Sequence, residues 1–332
     1  MIIDAHSHGF HYKYLDELLE AGGNWLKDRL ERRRPLTEGR PQRGNVEVRV
    51  AQLDRNGIDL QVVTPGLDSN LLPGDLYAQL NFARVLNDNM ARFMEDSKGR
   101  LLTVGTVPIA NFEEGGRQEM ERAIRTLGLK GISIYTNING KPLDLPEYEP
   151  FWARVAEMDI GVWVHPYASP GESGRSYEAD YDLAHNFGYP FETTLMLSRM
   201  VFSGMMDRYP DLKIVTHHLG GMIPFLWGRI TETCDPSMQM IRMNQVMPRP
   251  LFDYFSRFYY DTAIGGSTSA LKCAYEVFGA DSLIFATDAP NGPGGGEPRL
   301  ARYPGIIRSL GLSEAENKKI FEDNARRILN MD

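Results

Sequence analysis

Ile2-Ile3-Asp4-Ala5-His6-Ser7-His8 opens the chain as a short apolar strand running straight into a His-x-His pair. Side chains two apart on a strand share a face, so both imidazoles can converge on one point, and a metal ion is what such a pair suits. The other end of the chain supplies a counterpart. Leu283-Ile284-Phe285-Ala286-Thr287-Asp288 is a second apolar run, and it ends in a carboxylate. Two strand ends therefore offer nitrogen and oxygen ligands of the kind a divalent cation takes.

Between these ends, β-branched runs recur at Leu60–Thr64, Leu101–Val107, Gly131–Tyr135, Gly161–Val164, Lys213–Thr216 and Phe258–Asp261. With Ile2–Ala5 and Leu283–Thr287 they make eight candidate strands. Amphipathic stretches separate them, such as Leu76–Asp96, Phe112–Leu127, Pro150–Met158 and Met196–Tyr209. Strand and helix alternating eight times predicts an α/β fold, a (β/α)8 TIM barrel whose active site lies on loops at the C-terminal strand ends. The excess length falls on that side: an insertion at about 10–45, Tyr167–Pro190, and Gly292–Tyr303. Gly292-Pro293-Gly294-Gly295-Gly296 lacks the Lys-Ser/Thr of a phosphate loop and reads as a flexible loop or lid. No repeat or linker divides the chain, so 1–332 is expected to be a single barrel domain.

The composition, 42% hydrophobic and 24% charged over 332 residues, is that of an ordinary globular protein. A net charge of −8 argues against a nucleic-acid partner, which needs clustered cations. The one dense basic segment, Arg29–Arg34, is broken by Glu31 and closed by Pro35, and it reads as a solvated helix end or loop rather than a phosphate site. Cys234 and Cys273 make no disulfide framework, no apolar run is long enough for a membrane span, and no export segment is evident; a cytoplasmic protein is expected.

Five of the seven histidines, His6, His8, His165, His217 and His218, fall at strand C-termini, as does Asp288. Three histidines and one carboxylate fill most of a Zn²⁺ or Mn²⁺ shell and leave one position open. His11 and His185 lie in loops and read as bland or near the substrate. The order His-x-His, strand-five His, strand-six His, strand-eight Asp resembles the amidohydrolase superfamily over nearly the whole chain. Phe321-Glu322-Asp323-Asn324-Ala325-Arg326-Arg327-Ile328-Leu329 is similar to its closing helix. Thr216-His217-His218-Leu219-Gly220-Gly221-Met222-Ile223-Pro224-Phe225 and Ala286-Thr287-Asp288-Ala289-Pro290 resemble the branch of metal-dependent, non-oxidative decarboxylases. Members of that branch act on carboxymuconate semialdehydes, γ-resorcylate and 5-carboxyvanillate.

The resemblance implies one divalent metal, Zn²⁺ or Mn²⁺, held by His6, His8, His165 and Asp288, with no organic cofactor. The family's His-x-Gly-x-x-x-Pro-Phe/Tyr pattern selects His218 as the general acid/base and leaves His217 as a structural neighbour. Lys130 precedes Gly131–Tyr135 and so stands at the wrong end of its strand for a carbamylated bridge between two metals. The resemblance also puts Arg49 on a substrate carboxylate and Arg229, eleven residues after His218, on the same group from a partner subunit, which implies a homodimer. Asp261 ends strand seven and either reaches the site or caps the next helix. Phe10, Tyr12 and Trp25 either face a flat substrate or form a mini-core of the first loop. The expected protein is thus a carboxy-lyase, a decarboxylase of a small hydroxybenzoate or ring-cleavage carboxylic acid. The alternative is a hydrolase or hydratase in which His218 and Asp288 activate water.

Overall fold

The computed structural model describes residues 1–37, 39–167, 180–235, 237, 239 and 247–331. Among them run eight parallel barrel strands: β1 Ile3–His8, β2 Leu60–Thr64, β3 Leu101–Thr103, β4 Gly131–Tyr135, β5 Gly161–His165, β6 Lys213–Thr216, β7 Tyr259–Asp261 and β8 Leu283–Ile284. One sheet has the order β1-β2-β3, the other β4-β5-β6-β7-β8. Parallel bridges at Gly105–Ile132 and Ser7–Ala289 join them at both seams. The Gly105 N–H donates to Gly131 O at 2.9 Å across one seam, and the Ala5 N–H to Phe285 O at 2.8 Å across the other. The ring closes into the expected (β/α)8 barrel.

The strands are covered on both faces, which is why they read as continuous apolar runs. Ile3, Ala5, Val62, Leu102, Val104, Trp163, Val215 and Ile284 fill the barrel, and Ala325, Ile328 and Leu329 pack against this cluster. The Trp163 indole N–H donates to Ala5 O at 2.8 Å. Beneath the site, buried Asp4 accepts from Gln61 Nε2 at 2.7 Å and from the Thr287 hydroxyl at 2.6 Å, so one carboxyl group ties β1, β2 and the end of β8 together.

β3 and β8 stop short of the expected Val107 and Thr287. Beyond their ends, side chains take over from the ladder: Thr106 N–H donates to Asn87 Oδ1 and Ala286 N–H to Thr262 Oγ1, both at 2.9 Å. Leu76–Asp96 is helical as read, with the Asp75 side chain capping Ala78 N–H and Leu80, Ala83, Leu86, Met90 and Phe93 buried. Residues 112–127 instead pass from a 3₁₀ turn through α-helix Gly116–Glu121 to a π turn. The segment read as one helix over 196–209 is Tyr189–Phe202 and then Met205–Arg208, broken where Gly204 takes φ 76°.

The long connections are structured. The 10–45 insertion is mostly one helix, Leu15–Thr37, kinked at Gly23. Gly292–Tyr303 is no loose lid: it forms a 3₁₀ turn, Pro293–Gly296, and the start of helix Glu297–Arg308. The two insertions clasp each other, Gln42 Nε2 donating to Gly295 O at 2.9 Å and Arg43 Nη2 to Asn291 Oδ1 at 2.8 Å. Half of the Tyr167–Pro190 connection, residues 168–179, lies outside the described residues. No described helix is long and apolar enough to cross a membrane.

Candidate active site

His6 and His8 sit within β1, His165 ends β5, and Asp288 follows β8 in a left-handed backbone conformation, φ 59°. Each of these imidazoles is oriented through Nδ1. That of His6 donates to Asp261 Oδ2 at 2.8 Å, and that of His165 to Pro166 O at 2.7 Å. The Thr64 hydroxyl donates to Ser7 O, so the His8 Nδ1–H donates to Thr64 Oγ1 at 2.8 Å. With Nδ1 donating on all three rings, Nε2 is the atom each turns toward the others, and on a neutral ring it carries a bare lone pair.

These lone pairs converge. His6 Nε2 lies 3.2 Å from His8 Nε2, and His8 Nε2 lies 3.2 Å from Asp288 Oδ1. Ligand atoms of His6, His8 and His165 all lie within 4.8 Å of one another. Bare nitrogens this close, beside a carboxylate oxygen, repel unless positive charge lies among them, so the residues fit a bound divalent cation. Their ionisation agrees. Burial holds His8 down to about 4 and, helped by the neighbouring imidazoles, His165 well below the usual histidine range. Burial alone would raise Asp288, but the surrounding imidazoles, that of His8 foremost, keep it well below the usual carboxylate range. Burial would likewise lower His6; its hydrogen bond and charge pairing with Asp261 prevail and raise it. A proton on His6 supplies the positive charge that a metal would displace.

Asp261, which the sequence left open, is the hub. Its Oδ2 accepts from His6 Nδ1 and from His217 Nδ1 at 2.7 Å, and its Oδ1 accepts from the His218 backbone N–H at 2.8 Å. His218 turns into left-handed conformation, φ 54°, and lines the cavity with His8, His165 and Asp288. His217 is wholly buried beneath, stacked on His6 with ring centroids 3.6 Å apart.

The cavity, about 380 Å³, is walled by Tyr135, Tyr167 and Tyr189, aromatic faces suited to a flat molecule. Its cations come from the first insertion and its helix: Arg29, Arg40 and Arg43. Arg29 therefore corrects the reading of the basic segment as simply a solvated helix end. Arg49 does not line the cavity. It is 2% exposed behind β1, donating to Gln61 Oε1, His8 O, Gln42 O and Ser7 Oγ, and burial pulls its pKa down to about 9. Arg229 is exposed on helix Trp227–Thr233, away from the cavity lining. Lys130 stands before β4, while Tyr135 occupies that strand's cavity end. His11 pairs with Asp96 at 2.9 Å, and His185 lines the cavity beside Asp182, 3.4 Å away. Phe10 is buried in the core, and Tyr12 and Trp25 pack against it.

One clamp had no signal in the sequence. Arg299 Nη1 donates to Asp288 Oδ2 at 2.8 Å, while Asn291 Nδ2 donates to Oδ1 at 2.9 Å. Gly292 makes room for the guanidinium: a Cβ there would meet Arg299 Nε at 2.6 Å. Arg299→Met is expected to weaken metal binding by about 10–100-fold, the usual effect of removing an outer hydrogen bond from a ligand. Chelator competition measures it, and unchanged affinity would mean that the clamp serves only the loop.

Asp68 also lines the cavity. Its Oδ1 accepts from Asn70 N–H at 2.8 Å, and burial raises its pKa to about 6. Because the folded value lies above the unfolded one, the stabilising contribution is complete below about pH 4 and disappears as pH rises through 6. A shift of about 2 units corresponds to roughly 3 kcal/mol. Asp68→Asn is expected to flatten this part of the stability profile, which urea unfolding at pH 4.5 and 7.5 reads directly.

Comparison with known proteins agrees with this geometry. The amidohydrolase family profile matches residues 3–331, and the chain belongs to that family. Among its relatives is the 2-amino-3-carboxymuconate-6-semialdehyde decarboxylase of Dictyostelium discoideum, 30% identical over 292 residues that cover 86% of this chain and 77% of that one. The γ-resorcylate decarboxylase of a Rhizobium species is 26% identical, covering 86% and 87%. The crystal structure of 5-carboxyvanillate decarboxylase from Sphingomonas paucimobilis superposes with a TM-score of 0.83 at 25% identity, over 100% of this chain and 99% of that one.

Proposed function

We propose that this protein is a metal-dependent, non-oxidative decarboxylase of a small aromatic or ring-cleavage carboxylic acid, a carboxy-lyase of the amidohydrolase family. The observation that carries the reading is the division of labour at the cavity floor. Asp288 is engaged at both oxygens, by Asn291 and Arg299, whereas the His218 ring lines the cavity beside the ligand set. A hydrolase or hydratase would want that carboxylate free to take a proton from water. Protonation of a carbon needs only His218. Asp288 accordingly serves as ligand rather than base.

His6, His8, His165 and Asp288 would hold one Zn²⁺ or Mn²⁺, which when bound polarises a substrate oxygen and stabilises charge as CO₂ departs. The chain does the rest. As the C–C bond breaks, its electron pair stays on the substrate carbon, and His218 delivers the proton that forms the new C–H bond. Burial lowers the His218 pKa, so its protonated form, replenished from solvent in each turnover, gives up the proton readily. The tyrosine walls hold the flat skeleton, and Arg29, Arg40 and Arg43 offer forks for an acidic group away from the reacting centre. We assign the protein to the cytoplasm, because Cys234 and Cys273 are too few and too far apart in sequence for the disulfide framework of a secreted protein, and to a homodimer in which Arg229 would serve the partner's site. The chain would form one barrel domain with the 10–45 segment as its insertion.

The test is CO₂ release by metal-loaded protein from a panel of hydroxybenzoates and carboxymuconate-type acids. Metal-dependent release supports the reading; hydration or hydrolysis of a panel member without CO₂ release sinks it. Within the panel, Arg43→Ala is expected to raise KM several-fold with little change in stability. Arg49→Ala, which strips a buried cation from its acceptors, is expected to cost about 3 kcal/mol of stability instead. The opposite pattern would return the substrate carboxylate to Arg49.

A further inference from the structure

Asn291 stands between two groups that the scheme above treats apart, the metal ligand Asp288 and the cavity arginine Arg43. It is half-buried on the cavity lining, and a tight turn, in which Asn291 N–H donates to Asp288 O at 3.0 Å, brings its side chain beside that ligand. Its Nδ2 donates to Asp288 Oδ1 at 2.9 Å, and its Oδ1 accepts from Arg43 Nη2 at 2.8 Å. A turn asparagine commonly bonds nearby backbone with its amide. Among the described residues the Asn291 amide instead bridges two side chains from different parts of the chain.

The two partners fix the amide in one orientation. A carboxylate can only accept and a guanidinium can only donate, so the flipped amide would set donor against donor at Arg43 and acceptor against acceptor at Asp288. Each bond also strengthens the other, because donation into the amide oxygen polarises the amide N–H. The oxygen that Asn291 holds is the one turned to the ligand group: Asp288 Oδ1 lies 3.2 Å from His8 Nε2, whereas Oδ2 is held by Arg299. Arg43 is no stray neighbour of this loop. Residues 40–43 dock along it, Arg40 Nη1 donating to Pro290 O at 3.4 Å and Gln42 Nε2 to Gly295 O at 2.9 Å.

We infer that Asn291 is a positioning residue that couples the two ends of the site: through one amide it aims Asp288 at the metal and Arg43 at an acidic group of the substrate remote from the reacting centre. The inference rests on the metal-centre reading above and deepens it. A hydrogen bond to a ligating carboxylate orients that ligand, and here the donor is itself oriented by a cation of the cavity wall. Asp288 Oδ1 and Arg43 Nη2, joined by two hydrogen bonds and one amide, lie at most about 8 Å apart. That is comparable with the span of one aromatic ring carrying two acidic groups. Asn291 thereby ties the first insertion, which brings Arg43, to the loop after β8, which brings the ligand.

The test compares Asn291→Ala, Arg43→Ala and the double variant in the full-length protein. Mn²⁺ affinity is read by chelator competition, and binding of isophthalate and of benzoate to Mn²⁺-saturated protein by calorimetry; neither readout needs turnover. Asn291→Ala is expected to bind Mn²⁺ at least about tenfold more weakly. With the metal site saturated, it is also expected to lose several-fold of the native preference for isophthalate over benzoate. Because both substitutions act on one guanidinium, adding Asn291→Ala to Arg43→Ala should cost no further preference. Native Mn²⁺ affinity in Asn291→Ala overturns the proposal, and a lowered unfolding temperature of the metal-free variant beside it would show a role in the loop alone. Weakened Mn²⁺ binding with the isophthalate preference intact also overturns it, leaving Asn291 a support of Asp288 only. So does an additive loss in the double variant, or native protein that binds Mn²⁺ and shows no preference for isophthalate. Native protein that binds no divalent cation overturns the metal-centre reading and this inference with it. Native protein that binds metal but releases no CO₂ defeats only the decarboxylase reading.

Discussion

His218→Asn is expected to lower CO₂ release by about 10²–10⁴-fold, the range spanned by a positioned general acid. Asparagine tolerates the left-handed backbone that residue 218 adopts, and the backbone N–H that donates to Asp261 remains, so the fold and the ligand group stay in place. The loss should therefore fall on kcat, with metal content and KM near native values. Equal loss of metal would show instead that His218 holds the centre together. Retention of native kcat would remove it from the chemistry altogether.

The second large effect is expected from Asp261→Asn. The buried carboxylate accepts two Nδ1–H bonds on one oxygen, and burial, which would raise its pKa, is outweighed by those two histidines, which hold it far below the usual carboxylate range. An amide in its place presents an N–H where an acceptor was needed, or else rotates and loses the His218 contact. To avoid two donors facing each other, an imidazole must move its proton to Nε2, and a protonated Nε2 has no lone pair for a metal. Metal affinity is expected to fall by about 10–100-fold or more, with CO₂ release falling in step and recovering in part at high metal concentration. Unchanged affinity would reduce Asp261 to a scaffold residue. The comparison with Arg299→Met is informative, because that variant disturbs one ligand and Asp261→Asn disturbs His6 together with His217.

Much of the fold was legible because it rests on short-range pattern. Each barrel strand is an apolar run of a few residues, and Asp75 marks the start of the helix Leu76–Asp96 through a local cap. What pattern missed were places where regular backbone pairing stops. Thr106 falls in a run that reads as strand, but its N–H is held by the Asn87 side chain, and the helix expected over 196–209 breaks at Gly204. The basic run starting at Arg29 was misread for a related reason: a helix displays its side chains around its full circumference, and which face meets the cavity is decided by its neighbours.

The sequence by itself determined the barrel and the histidines and aspartate from which the metal set is proposed. Strand periodicity places His6 beside His8, and a closed parallel barrel brings every C-terminal strand end to one rim. Only the tertiary structure decided what surrounds them. Asp261 reaches His6 across 255 positions of chain, Gln42 reaches Gly295 across 253, and Arg299 swings back from the helix after β8 to hold Asp288. It also placed Arg49 behind β1 and Arg43 in the cavity, although both belong to the same stretch of chain. Local sequence sets which face of a strand a residue takes. Contacts across the barrel set which partner it finds there, and those depend on how the insertions pack over the rim.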